Sequence, residues 1–232
     1  MITVRKADAR GVSKLDWLDS RHTFSFADYY DPEHMGFRQL RVINDDRVQP
    51  GRGFPTHSHR DMEIISYVLE GALEHRDSLG NGSVIRRGEV QRMSAGRGIT
   101  HSEFNASHTE VVHFLQIWII PDELGVAPGY EQQDIDLSAA YRKFQPIVSR
   151  DGGPGRVKLH QDAAISVATL RDGEVLLHTL PRRRFAWLQL ARGAIALNDH
   201  SLIVSDGAAI EGESQLRIQA NTAAEILLLD LA

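Results

Sequence analysis

A chain of 232 residues, 42% hydrophobic and 25% charged, has an ordinary globular composition with room for one large domain or two of about a hundred residues each. A net charge of −5, with no run of Lys and Arg interleaved with aromatics, excludes a surface built to neutralise a phosphate backbone, so no direct contact with nucleic acid is expected. The absence of cysteine excludes disulfides, thiolate metal sites and cysteine nucleophiles, so any metal must be held by His, Asp or Glu.

The first residues, 1–19, carry charges throughout and contain no apolar segment of signal-peptide length. No stretch of the chain approaches the roughly 20 apolar residues of a membrane-spanning helix. We therefore expect a cytoplasmic protein with no membrane contact, and a monomer is the default expectation for its assembly.

Along the chain the apolar pattern is short and has a period of two, as in "FRQLRVIND" at 37–45 and "QLRIQA" at 215–220, with Gly, Asn and Asp between the runs. This pattern is typical of an all-β protein with many short strands, either a sandwich or a barrel. The best helix candidate is the segment 134–144, where Asp or Ser could cap a short helix.

The two halves of the chain resemble each other. In each half an apolar strand, a glycine turn and another apolar strand precede a second glycine turn, at Gly71 and Gly88 in the first half and at Gly193 and Gly207 in the second. We interpret this as a duplicated β-barrel, with a first domain at 1–135 and a second at 136–232; a chance match between two hairpins is the alternative.

Two pairs of polar residues could form a metal site. His57 and His59 are two residues apart, so on a strand both imidazoles point to the same face. His101 and Glu103 repeat this spacing about 42 residues later, and a second strand could present them to the same point. Three imidazoles and one carboxylate suit Fe, Mn, Ni, Cu, Co or Zn and leave room for exogenous ligands.

Two segments carry a family resemblance. "GRGFPTHSHRDMEIISYVLEG" at 51–71 resembles the first cupin motif, and "GEVQRMSAGRGITHSEFN" at 88–105 resembles the second. Together with "HTFSFADYYDP", "LRVINDD" and "LQIWI" they resemble the pirin family of bicupins, specifically in the first half and thinly in the second.

The resemblance implies an all-β bicupin, in which two double-stranded β-helix (jelly-roll) barrels pack together. It implies one divalent metal, usually iron, held by His57, His59, His101 and Glu103. It also implies quercetin 2,3-dioxygenase activity, which opens the flavonol ring with molecular oxygen and releases carbon monoxide. The expected small-molecule partners are therefore a flavonol and O2.

The first motif departs from the general cupin pattern. The carboxylate ligand of that pattern lies after the second histidine, and the corresponding place is occupied here by Ile64, one residue after Glu63. A shift of one residue turns a strand side chain to the opposite face, so Glu63 is predicted to point away from His57 and His59 and to be solvated or salt-bridged.

The second half lacks ligands at the matching positions. Counting from its two glycine turns gives four residues that cannot replace the ligands they would match: Thr179, Pro181, Ala220 and Thr222. The second barrel is therefore predicted to be degenerate and metal-free. Three of its histidines are predicted to be structural or surface residues: His160, His178 and His200. One histidine among His75, His108 and His113 could orient a metal ligand, and the sequence does not choose between them.

Several residues near the motifs are candidates for substrate contacts. By resemblance, Asn44, Phe54 and Gln116 could line the pocket, with barrel packing as the alternative. Glu103 is predicted to accept the proton of the flavonol 3-hydroxyl, which makes it the candidate catalytic residue. The three tryptophans, Trp17, Trp118 and Trp187, are predicted to belong to the core.

Two other functions stay open from the sequence. One is an iron-containing regulatory protein that acts through a protein partner, as eukaryotic relatives suggest. The other is a different cupin enzyme that acts on a small acid, for which Arg41 or Arg97 would hold the substrate carboxylate.

Overall fold

The computed structural model describes residues 1–232, and its regular elements are 22 strands and one 3-10 turn at Ala7–Ala9. The first half contains β1 (Ile2–Arg5), β2 (Gly11–Lys14), β3 (Leu18–His22), β4 (Leu40–Val48), β5 (Gly53–His59), β6 (Glu63–Glu70), β7 (Ala72–Asp77), β8 (Gly82–Arg86), β9 (Glu89–Ser94), β10 (Ile99–Asn105), β11 (Val112–Ile119) and β12 (Gly129–Asp134). The second half contains β13 (Gln145–Ser149), β14 (Val157–Lys158), β15 (Ala163–Leu170), β16 (Val175–Thr179), β17 (Phe185–Arg192), β18 (Ala194–Leu197), β19 (His200–Ile203), β20 (Gly207–Ile210), β21 (Gln215–Ala220) and β22 (Ala224–Leu231). The all-β prediction is confirmed, and no helix has the length and hydropathy needed to cross a membrane.

The strands form two barrels, each made of a large and a small sheet. The first barrel has a seven-stranded sheet, β12-β9-β6-β11-β4-β3-β2, and a four-stranded sheet, β5-β10-β7-β8. The second barrel repeats this with β1-β20-β17-β22-β15-β13-β14 and β16-β21-β18-β19. Strand β1 pairs with β20, so the N-terminal residues complete a sheet of the second barrel. The division of the chain near residue 135 stays a prediction.

The repeated glycine turns have the same local geometry in both barrels. Gly71 joins β6 to β7 with φ of 76°, and Gly193 joins β17 to β18 with φ of 84°. A Cβ at either position would overlap a backbone carbonyl oxygen, that of Val111 or that of Ala223. Glycine is required at both turns because other residues rarely adopt this conformation and have no space here.

The core lies between the two large sheets. A cluster of 24 buried apolar residues joins β4, β6, β9 and β11 of the first barrel to β13, β15, β17 and β22 of the second. Since strand side chains alternate between faces, every second residue of β6, such as Ile65 and Tyr67, enters this interface, while Ile64 and Val68 point into the first barrel.

The interiors of the two barrels differ. The second barrel is filled by one cluster of 18 buried apolar residues. The first barrel has only two small clusters, of seven and four residues, at its two ends. The space between these clusters is polar and partly open, and it contains the candidate site.

The predicted helix at 134–144 is wrong. Strand β12 continues to Asp134, and the residues after it form turns. The Asp136 carboxylate accepts hydrogen bonds from the Ser138 N–H and hydroxyl, as a helix cap would. The backbone of Ala140 and Arg142 then pairs with Thr169 of the second barrel, and these sheet-like bonds replace the helical ones.

A buried polar contact crosses the interface between the barrels. The Tyr67 hydroxyl on β6 donates to Glu225 Oε1 on β22 at 2.7 Å, and Arg87 pairs with the same carboxylate. Tyr67 and Glu225 are both almost fully buried. Burial next to this carboxylate raises the pKa of Tyr67, so the phenol stays protonated and acts as the donor.

Replacing Tyr67 with Phe tests this contact. The change removes one hydrogen bond to a buried carboxylate and should lower the free energy of unfolding by about 1–3 kcal/mol in urea denaturation. Tyr30→Phe is the control, because Tyr30 is 72% exposed and its loss should change stability by less than about 0.5 kcal/mol. Equal effects of the two substitutions would contradict a stabilising role for the cross-barrel bond.

Candidate metal centre and cavity

Strands β5 and β10 bring the predicted ligands together. In their antiparallel register His57 lies opposite His101, and His59 lies opposite Ile99. The register then shifts so that Glu103 lies opposite Phe54, which places a bulge on β5 at Pro55 and Thr56. The i, i+2 spacing thus presents both pairs to the interior, as the sequence predicts.

The three imidazoles form one group. Ring nitrogens of His57, His59 and His101 all lie within 4.8 Å of one another, and the ring centroids are 4.5–4.9 Å apart. A second group within the same distance contains His101, Glu103 and His75, so His101 is common to both. The structure therefore places the four predicted ligands in two overlapping groups that share His101, with His57 and His59 in one and Glu103 and His75 in the other.

Hydrogen bonds on the outer side of the cluster assign the histidine tautomers. His57 Nδ1 is 2.8 Å from the Pro55 carbonyl oxygen and must donate to it. His75 Nε2 is 3.2 Å from the Asp77 carboxylate, which leaves His75 Nδ1 to accept from His101 Nδ1 at 3.5 Å. Both remaining Nε2 atoms, those of His57 and His101, are then lone-pair acceptors.

These two Nε2 atoms face each other at 3.1 Å. Two acceptor lone pairs at this distance repel unless a cation lies between them. Two nitrogens bound to a metal at about 2.1 Å and at right angles are roughly 3 Å apart, so the geometry fits neighbouring ligands of a transition metal. The outer hydrogen bonds are of the kind that orients metal-binding imidazoles.

Desolvation favours the neutral forms of His59 and His101. Burial, with the neighbouring His57, lowers the pKa of His59 to about 4. Burial and then the positive charges that His57, His59 and His75 would carry lower the pKa of His101 to about 2. Neutral imidazole is the form that binds a metal.

Glu103 is buried inside the first barrel, unlike a surface carboxylate, and burial changes its pKa. It is 3% exposed, and burial raises its pKa to about 7 in spite of two hydrogen bonds that favour the charged form. Ser66 donates to Oε1 at 3.2 Å, and Gln116 Nε2 donates to Oε2 at 2.9 Å. The two hydrogen bonds hold the carboxyl in place, and its pKa lies close to neutral pH.

A row of polar side chains crosses the inner face of the large sheet. The register pairs neighbours strand by strand, and we call these six residues the polar row: His22, Asn44, Gln116, Ser66, Gln91 and Gln132. His22 Nδ1 is 2.9 Å from Asn44 Oδ1, and Ser66 and Gln116 bind Glu103. This row separates the two small apolar clusters of the first barrel and holds the carboxyl of the site.

A cavity of about 540 Å³ opens next to the cluster, within the usual size range of small-molecule sites. His57, His59, His101 and Glu103 lie on its wall, as do the three predicted pocket residues, Asn44, Phe54 and Gln116. Trp17 and Trp118 are partly buried and pack against the two small apolar clusters of the first barrel, and both also line this cavity. Trp187 is buried in the interface between the barrels.

The remaining histidines differ in their surroundings, and these show which of them contacts the cluster. Of the three candidates for orienting a ligand, only His75 contacts the cluster, while His113 binds Asp45 at 2.7 Å and His108 is exposed. His160 has the predicted structural role, since its N–H and ring bind Glu63. Sequence spacing could not choose His75, because its contact depends on the pairing of β7 with β10.

Glu63 points away from the cluster, as predicted, but it is not solvated. It is fully buried on the outer face of β6, within 4.0 Å of Arg92 and 3.3 Å of His160 Nδ1. The salt-bridged alternative is therefore the one that the structure supports.

Counting from the second pair of glycine turns selected the wrong positions in the second barrel. The β18–β21 register places Ala220 opposite Ile195, as Asn105 lies opposite Leu73, so Leu216 and Ile218 match His101 and Glu103. Both are fully buried in the apolar core. The count fails because the chain from Gly207 to Ala220 is shorter than the matching chain from Gly88 to Asn105, a difference that only the strand register reveals. The metal-free character of the second barrel stays a prediction.

Two cavity residues escaped the sequence reasoning. His22 and Asp46 are both buried and line the cavity, and the sequence assigns a role to neither, although both lie in segments that carry the family resemblance. The available signal was the alternation in "LRVINDD", which places Asp46 on the same face as Asn44.

Two barrels of this topology, one with an inward histidine cluster and one with an apolar core, define the chain as a bicupin. The Pirin family matches residues 3–119, and a family described as the quercetinase C-terminal cupin domain matches residues 146–231. The chain belongs to the pirin family.

Similar proteins extend over the full chain. A protein of Escherichia coli strain K12 named quercetin 2,3-dioxygenase is 48% identical over 231 residues, which covers 100% of this chain and 99% of the relative. A Pasteurella multocida protein named putative quercetin 2,3-dioxygenase is 43% identical and fully covered by the match. The crystal structure of the bacterial pirin YhhW from E. coli in complex with nickel(II) has a TM-score of 0.94 at 48% identity, covering 100% of this chain and 99% of that one.

Glu103 should give the metal-free protein a pH-dependent stability. Its pKa rises from 4.5 to about 7 on folding, so between these values the folded state binds more protons and stability falls as the pH rises. Glu103→Gln removes this pH-dependent contribution. The free energy of unfolding of the variant, relative to that of the wild type, should therefore rise by on the order of 2–3 kcal/mol between pH 4.5 and 7.5.

Urea denaturation of chelator-treated protein at several pH values measures this difference. The control is Glu123→Gln, because Glu123 is exposed and its replacement should change the free energy of unfolding by less than about 0.5 kcal/mol. A pH-independent difference between wild type and Glu103→Gln would show that the Glu103 pKa is not raised.

Proposed function

We propose that this protein is a metal-dependent dioxygenase that cleaves quercetin or a related flavonol with O2. The observation that carries the proposal is the pair of Nε2 lone pairs facing each other at 3.1 Å, beside a buried carboxyl and at the wall of an aromatic cavity. The names of the full-length relatives, at 48% and 43% identity, support the same activity.

The residues proposed to hold the metal are His57, His59, His101 and Glu103. Their nitrogen and oxygen donors fit a divalent transition metal, and we propose iron as the metal in the cell, with nickel, as in the E. coli YhhW complex, among the alternatives. When bound, such a metal would polarise the substrate oxygen and bring O2 and substrate together. The Pro55 carbonyl and His75 fix the ring orientations from outside.

Glu103 is proposed to take the proton of the flavonol 3-hydroxyl. In the metal-free protein burial raises the pKa of Glu103 to about 7, and a bound cation would lower it, so the carboxylate would be ionised and able to accept a proton near neutral pH. Ser66 and Gln116 keep its oxygens in place, so proton transfer would need only a small displacement of the side chain. This assignment makes Glu103 both a ligand and the catalytic residue.

The cavity wall suits a flat aromatic substrate. Trp17, Phe54 and Trp118 supply aromatic surface, and Trp17 and Phe54 pack edge to face at 5.2 Å between ring centroids. Asn44 and Gln116 supply polar groups close to Glu103. Filling the cavity with an aromatic ligand would exclude water from the reacting atoms.

The alternative of a small-acid substrate loses the two arginines predicted to bind its carboxylate, although the exposed Lys14 lines the cavity. Arg41 donates to the Ser25 carbonyl oxygen and does not line the cavity. Arg97 lies in a separate surface pocket with Arg60. No arginine is therefore available in the cavity to bind a carboxylate.

Removing two ligands should abolish both metal binding and turnover. Wild type is expected to carry about one metal per chain and to consume O2 with quercetin, while His57→Ala/His59→Ala should do neither, because the loss of two nitrogens leaves too few donors. Metal analysis and oxygen uptake measure both properties. His108→Ala, at an exposed histidine outside the cluster, should match the wild type. Metal binding without flavonol oxidation would refute the dioxygenase proposal and favour the regulatory function.

Replacing Glu103 with Gln should separate binding from chemistry. At saturating metal the three histidines remain, while the general base is lost, so kcat should fall roughly 100-fold or more. Oxygen uptake with quercetin, at metal occupancy matched to the wild type, measures the change. A variant with full metal occupancy and near-normal kcat would exclude Glu103 as the base.

A further inference from the structure

Asp46 is a buried carboxyl that the fold does not satisfy. It lies on β4, is 3% exposed and forms part of the cavity wall. Its Oδ1 is buried and has no hydrogen-bond partner. Across β4, its register partners are Ser20 on β3 and Phe114 on β11, so one neighbour is a hydroxyl and the other is apolar.

Its neighbour in sequence provides an internal comparison. Asp45 points to the opposite face of β4, where His113, Arg47 and Ser205 all bind its carboxylate. These partners outweigh burial and lower the pKa of Asp45 to about 2. For Asp46, burial dominates, with Asp45 and Glu103 adding to it, and raises the pKa to about 7 against the effect of Ser20.

An unpartnered buried carboxyl lowers the stability of the free protein. Residues of this kind persist where they serve a function rather than the fold. Because the free oxygen belongs to a cavity wall, an occupant of the cavity can supply the missing donor. Around it the wall is aromatic, with Trp17, Phe26 and Phe54.

The position of Asp46 also sets a distance. Gln116, which binds Glu103, lies directly opposite Asn44, so Asp46 is its diagonal neighbour on the sheet. Diagonal neighbours of this kind are about 7–8 Å apart. This separation of Asp46 from Gln116 is the scale of a fused pair of six-membered rings, so a flat ligand that reaches Glu103 beside Gln116 can extend to Asp46.

We propose that Asp46 binds a second hydroxyl of the substrate, remote from the one at the metal centre, and so selects polyhydroxylated aromatic compounds over those with a single hydroxyl. The inference rests on the proposed function, since it takes the reacting hydroxyl to lie at Glu103. Asp46 is a specificity-determining residue in this assignment and takes no part in the chemistry.

The test compares two flavonols that differ only in remote hydroxyls. Quercetin has hydroxyls on both ring systems, whereas 3-hydroxyflavone has only the reacting one. Dissociation constants are measured without oxygen on metal-loaded protein by quenching of tryptophan fluorescence. Asp46→Ala should weaken quercetin binding roughly 10- to 100-fold and change 3-hydroxyflavone binding less than about twofold, since only quercetin has the donor.

Two further variants complete the test. Asp46→Asn keeps an oxygen acceptor and should restore part of the quercetin affinity, while Asp16→Asn, at an exposed carboxylate in the β2–β3 turn, should behave as wild type. Without ligand, Asp46→Asn should raise the melting temperature by a few degrees, because it removes an unsatisfied carboxyl. If Asp46 stabilised the fold, Asp46→Asn would instead lower the melting temperature.

The outcomes distinguish this inference from the proposed function. Equal weakening of both flavonols by Asp46→Ala, or no weakening of either, would overturn the role of Asp46 while quercetin turnover by the wild type leaves the dioxygenase proposal intact. Failure of the wild type to bind either flavonol would remove the proposed function and this inference together.

Discussion

The packing of the two large sheets against each other is the constraint on which the rest of the structure depends. The 24-residue cluster between them is larger than either interior, so the apolar burial that stabilises the first barrel comes mainly from its outer face. That arrangement frees the inner face of the same sheet from providing a core. A polar row, a cavity and a cluster of histidines occupy it instead, and the Tyr67–Glu225 bond adds a directional contact at the interface.

The two barrels differ in what fills their interiors and in how much that filling stabilises them. In the second barrel, Leu216 and Ile218 stand at the places of His101 and Glu103, and its interior is one continuous apolar cluster. In the first barrel, the interior contains buried polar atoms that have no hydrogen-bond partner, among them Asp46 Oδ1 and both polar atoms of Gln91. Each such group lowers stability, and the neighbouring barrel compensates through the shared interface.

The chemistry of the centre comes from the protonation states that burial imposes. Desolvation favours the neutral forms of His59 and His101 and raises the pKa of Glu103 to about 7, whereas Asp45, on the opposite face of the large sheet from the cavity, stays ionised because it has three partners. One sheet thus separates an ionised, fully partnered carboxylate from carboxyls whose pKa burial raises. The pKa values differ because the two faces of the sheet have different neighbours, since the side chains are all carboxyls.

The sequence by itself determined the all-β class, the duplication and the positions of His57, His59, His101 and Glu103, because alternation along a strand is a local property and two-residue spacing fixes a shared face. Only the tertiary structure decided that His75 contacts the cluster, that the 134–144 segment pairs with Thr169 in place of forming a helix, and that Leu216 and Ile218 stand at the places of His101 and Glu103. These features depend on strand register, on bulges and on which barrel covers which face. Those are contacts between residues far apart in the chain, and no local pattern encodes them.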